Sequence, residues 1–122
     1  MSVEFKEPLK IGMPITHNTK LDNILEDKEC IFSEKKEIYK LAISIAIKQN
    51  KIGAKNLKDL WLSFSVEQID PAPKYFYNIV RASYPNEQEA VYKTVQRLAT
   101  AGIEILYDDY EKNNYISLSL YL

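Results

Sequence analysis

From Lys36 to Asn50 the chain reads KEIYKLAISIAIKQN, apolar at Ile38, Tyr39, Leu41, Ala42, Ile43, Ile45, Ala46 and Ile47. At 3.6 residues per turn these positions cover most of the circumference, the pattern of a helix buried on nearly all sides. The run is shorter than the ~20 apolar residues that span a bilayer, and lysines interrupt it. It is therefore expected to be the central core helix, with Ser33 as N-cap, Glu34 in the first turn and Gly53 just past its end. Upstream, Leu9, Ile11, Met13 and Ile15 alternate with Lys10, Gly12, Pro14 and Thr16, which predicts a short half-buried strand that Pro14 terminates or places at an edge. Residues 1–8 before it read as a mobile arm. A short helix capped by Asn18, with Leu21, Ile24 and Leu25 as its stripe, completes a strand–helix–helix unit over residues 9–50.

Downstream, Leu60, Leu62, Phe64 and Val66 alternate with Trp61, Ser63 and Ser65 and predict a second strand, with a helical turn at Leu57, Leu60 and Trp61 as the competitor. Asp70-Pro71 is a helix start, and Tyr75, Phe76, Ile79 and Val80 give that helix its apolar face. After the turn SYPN, Asn86 and Glu89 have capping-box spacing. The helix they open, from 87 to about Ala101, turns Val91, Val95 and Leu98 inward and ends at Gly102. Ile103, Ile105 and Tyr107, the polar turn DDYEKNN and the alternation of Ile116, Leu118, Leu120 and Leu122 then predict a C-terminal β-hairpin. The expectation is a single α+β domain: a central buried helix, about four helices in all, and a small antiparallel sheet.

Composition narrows the function without naming it. A chain of 122 residues is one domain by the usual prior, and its net charge of -1 gives no overall field toward polyanions. Any nucleic-acid site must be a local patch. Such a patch is offered by Lys48, Lys51, Lys55 and Lys58, which run without an acid until Asp59; solvated surface beside a helix C-terminus is the favoured explanation of them. On the helix before Gly102, Lys93, Gln96, Arg97 and Thr100 fall at i, i+3, i+4 and i+7 and form a polar strip suited to phosphate and base contact.

Two DNA-binding architectures share features with these patterns. The order from Leu9 to Asn50 resembles a ribbon-helix-helix unit, whose outward ribbon positions here are Lys10, Gly12 and Thr16. The segment VYKTVQRLATAGIEILYDDYEKNNYISL resembles the recognition helix and wing of winged-helix proteins, although Asp108, Asp109 and Glu111 lie in the wing position, where they repel phosphate. Across a longer stretch, KEIYKLAISIAI, YFYNIVRASYPNE and VYKTVQRLATAGIEIL resemble small proteins of bacterial DNA phosphorothioation islands, the Dnd system. That resemblance implies an accessory role in a DNA-modification or phage-defence locus and brings no catalytic residues with it. The expected partners are double-stranded DNA, met by Lys93, Gln96, Arg97, Thr100 and the four lysines, and other proteins, with a homodimer as one form. The alternative is an interaction subunit that never touches nucleic acid.

No catalytic chemistry is expected. His17 and Cys30 are the sole imidazole and thiol, too few and too far apart for a zinc site or a nucleophile–base pair. Three glycines exclude a glycine-rich phosphate loop, and Asp108, Asp109 and Glu111 lack the rhythm of a calcium loop. Neither cofactor nor metal is expected. The single cysteine, with no signal or membrane segment, points to a reducing, cytoplasmic setting.

Overall fold

The computed structural model describes residues 5–27 and 30–113. Within them the order is β1 (Lys10–Pro14), α1 (Ile15–Glu26), α2 (Lys35–Gln49), β2 (Leu60–Ser65), α3 (Val66–Ile69), α4 (Tyr75–Ser83) and α5 (Val91–Asn113). The class is α+β, with five helices and a two-stranded antiparallel sheet among the described residues.

The core forms where α2 meets α5. Helix α2 buries Ile38, Tyr39, Ala42, Ile43, Ile45 and Ala46, as its pattern predicts. Its start is a capping box: the Glu37 carboxylate accepts the N–H of Glu34, while Glu34 is the N-cap. Ser33 sits one position earlier and donates its hydroxyl to Glu37 at 2.6 Å. The far end closes at Asn50, not Gly53. Asn50 adopts a left-handed conformation (φ 53, ψ 47), one of the few residues besides glycine that does so cheaply.

Helix α5 is the more enclosed of the two and has buried residues on all its faces from Tyr92 to Gly102. It runs through Gly102 and on to Asn113, through the expected first limb of a hairpin and the described part of its turn. Gly102 is therefore a crossing point and no stop. A Cβ there would collide with the carbonyl oxygen of Ala42, so the absence of a side chain lets the two helix backbones touch. Leu106 and Tyr110 extend the inward stripe past it, and Asp108, Asp109 and Glu111 lie on this helix, not on a wing. The second limb expected over Tyr115–Leu122 lies outside the described residues.

The sheet joins distant segments instead. Strand β1 pairs with β2, Ile11 opposite Phe64 and Met13 opposite Trp61, with a bulge between Ile11 and Met13. Gly12 occupies that bulge, where a Cβ would strike the Trp61 carbonyl. Its own backbone faces inward: the N–H donates to Gln96 Oε1 at 2.9 Å and the carbonyl accepts from the Tyr39 hydroxyl at 2.6 Å. The outer edge of β1 is thus closed at Gly12 by side chains of α5 and α2. Helix α1 begins at Ile15, directly after the strand, so Asn18 is within it and caps nothing.

Candidate nucleic-acid interface

Helix α5 owes its position to caps that come from elsewhere. The carboxylate of Glu7 accepts the N–H groups of Val91 at 3.0 Å and Tyr92 at 2.9 Å, which satisfies two donors of the first turn and places negative charge at the positive end of the helix. The capping box expected from Asn86 and Glu89 is not used, since the helix starts at Val91. Residue 7, assigned in the sequence to a mobile arm, is held against the longest helix. Similarly, Asp70 accepts the N–H groups of Phe76 and Tyr77 at the start of α4, and the hydroxyl of Tyr92 at 2.8 Å.

The polar strip on α5 points largely inward. Gln96, Arg97 and Thr100 are each at least nine-tenths buried. Gln96 is committed to Gly12, and Thr100 donates its hydroxyl to the Gln96 carbonyl at 2.9 Å. Arg97 donates Nε to the Gly53 carbonyl at 3.0 Å and Nη1 to Glu87 and Glu89 at 3.1 and 2.6 Å. Burial alone would lower its pKa; the hydrogen bonds and charges of Glu89 and Glu87 outweigh that and raise it. Three of the four expected base-reading side chains are thus structural, because β1 and the loop after α2 cover the face they share. Lys93 alone of the four is exposed.

The lysine cluster is exposed at Lys48, Lys51, Lys55 and Lys58. Lys55 donates Nζ to the Glu87 carbonyl at 2.7 Å and lies 3.8 Å from the Glu87 carboxylate. The structure brings Lys55 and Lys93 together: both line one cleft of about 590 Å³ with Phe5, Lys6, Leu57 and Arg97. Lys48, Lys51 and Lys58 do not line it. No pattern along the chain joins Phe5 and Lys6 to Lys93; they meet because Glu7 ties the N-terminal segment to α5. An acid pair shortly before a helix carrying one of only two arginines was the available hint that Arg97 would be claimed.

The ribbon-helix-helix geometry is absent from the described residues. Lys10 is exposed, but Gly12 is buried and Thr16 belongs to α1, while β1 pairs within its own chain. His17 Nε2 lies 2.9 Å from Glu104 Oε1, and Cys30 is half-buried with Sγ near the Phe32 carbonyl; the two are not joined. Among the described residues no cluster of His, Cys, Asp or Glu is arranged to hold a metal ion, and no helix is long and apolar enough to cross a membrane.

A different surface is conspicuous. On β2, Trp61 and Leu62 are 53% and 50% exposed, and Leu9, before β1, is 86% exposed. Val66 N–H donates to the Leu9 carbonyl, so Leu9 is held beside the end of that strand. Among the described residues nothing pairs with the other edge of β2. Comparison of the chain with protein-family models, characterised proteins and solved structures finds no match.

Proposed function

We propose that this protein is a non-enzymatic accessory subunit that acts by docking a partner protein on strand β2, in the bacterial DNA-modification or phage-defence setting that its sequence resemblance implies. The observation that carries this reading is the exposure of Trp61 and Leu62 on a strand whose outer edge lacks a partner among the described residues. An extended segment added to such an edge gains main-chain hydrogen bonds, while large side chains supply pockets and anchors. Tryptophan is among the residues that dominate binding energy at interfaces. The test is co-purification with proteins encoded beside it, using the native chain and Trp61→Asp with Leu62→Asp. A partner retained by the native chain and lost by the variant, at unchanged circular dichroism, is the expected outcome. Equal retention by both chains rejects β2 as the docking strand.

A second reading, duplex DNA binding, is favoured by one observation: Lys51, Lys55 and Lys58 are exposed along one short loop. It is tested by titrating duplex at several salt concentrations. Real phosphate contacts give log K falling by about 0.9 per phosphate neutralised with each unit of log salt. A flat or undetectable response at low salt removes this reading and leaves the first.

A further inference from the structure

We propose that the cleft between the N-terminal segment and α5 binds an aromatic base carrying phosphate, either a free nucleotide or the end of a single nucleic-acid strand. The cleft measures about 590 Å³, within the range of small-molecule sites. Its cations are Lys6, Lys55, Lys93 and Arg97, and the carboxylates against them are Glu87 and Glu89. Four cations facing two carboxylates leave two positive charges uncompensated, the complement of a phosphomonoester dianion. The two carboxylates are already turned to the Arg97 guanidinium on the floor. Lys6 and Lys93 have no ion-pair partner among the described residues. Both lysines are exposed, whereas the Glu87 and Glu89 carboxylates are largely covered.

The remaining wall selects the rest of the ligand. Phe5 is 42% exposed and lines the same cleft with Leu57. An aromatic ring beside ammonium groups is the arrangement on which unpaired bases stack while their phosphates are held. A duplex keeps its base faces inside its own stack and offers only its backbone, so a concave site with an aromatic wall suits an unpaired base. Acidic peptides lack the base that Phe5 would receive. Lys6 and Phe5 come next to Glu7, whose grip on the first turn of α5 fixes this wall in place. The inference stands on this cleft alone and is independent of docking at β2.

The test is fluorescence anisotropy of the full chain with a 5′-phosphorylated, 3′-fluorescein octathymidylate at low salt. Saturable binding is expected, with log K falling by about 1.4 per unit of log salt for two phosphate charges neutralised on a single strand. Lys6→Gln with Lys93→Gln weakens it at least about tenfold. Phe5→Leu, which keeps the apolar wall and removes the ring, weakens it about tenfold, and the remote Lys74→Gln leaves it unchanged. Thymidine monophosphate competing as well as the oligomer assigns a free nucleotide; affinity that rises with strand length assigns a strand end. Absence of binding overturns the proposal. So does binding indifferent to Lys6 and Lys93, or displacement by polyglutamate or a duplex as effective as by the oligomer.

Discussion

Replacing Arg97 by alanine leaves Glu87 and Glu89 facing each other without the guanidinium that joins them, and leaves the Gly53 carbonyl without its side-chain donor. Removing one partner of a buried ion pair costs about 3–5 kcal/mol. Glu87 is 26% exposed, so part of its charge is solvated, and the expected loss is about 2–3 kcal/mol, read as a lower urea midpoint. Glu37 gives a pH dependence of known sign. Hydrogen bonds from Ser33 hold its pKa below the ordinary 4.5. The folded chain therefore gains stability from this group above pH 4.5 and loses it as the pH falls through the lowered value. Melting curves between pH 6 and 3 should fall less steeply for Glu37→Gln than for the native chain; parallel curves would remove Glu37 from the acid transition. The burial of Gln96, Arg97 and Thr100 was not legible in the sequence for a definite reason. Helical spacing says which residues share a face, and nothing about what covers that face. A strip of Lys, Gln, Arg and Thr reads as solvated, yet each of its last three members finds a partner inside.

Helices α2 and α5 illustrate the same limit one level up. The near-continuous apolar run of α2 has one interpretation at its length, and its position in the core follows from the pattern alone. The C-terminal part of α5 had two. Ile103, Ile105 and Tyr107 alternate as a strand does, while Ile103, Leu106, Tyr107 and Tyr110 recur as a helix stripe does. The helix prevails because α1 lies alongside it: Asn23 donates to the Tyr107 hydroxyl at 3.2 Å, and the Tyr110 hydroxyl donates to Asp27 at 2.7 Å. Gly102, read in the sequence as a stop, lies inside the helix. Its role as the contact point with Ala42 predicts that Gly102→Ala is destabilising, although alanine is the better helix former by about 1 kcal/mol. Forced separation of the two helices should cost about 1–3 kcal/mol net, measured by chemical denaturation. A neutral or stabilising effect would mean that the helices do not cross there.

At the scale of the whole molecule, the fold class was accessible from the order of elements, while the sheet partners were not. Strands β1 and β2 stand far apart in the chain, and nothing in either names the other. Long-range ties of this kind recur. Glu7 caps α5 across more than eighty residues; Glu7→Ala should lower stability by ~1 kcal/mol, as loss of a helix cap does, and should free the wall that carries Phe5 and Lys6. An unchanged melting temperature would show that the cap contributes nothing. These ties also bear on how the protein comes into being. The wall on which α1, α2, α4 and β1 rest is α5, and it is the last helix described along the chain. A ribosome makes the earlier elements first. Their apolar faces must wait without cover, for as long as translation takes, until the segment through Leu106 has emerged. Assembly is therefore deferred until α5 has been made, and in that interval the nascent chain is most exposed to chaperones and proteases.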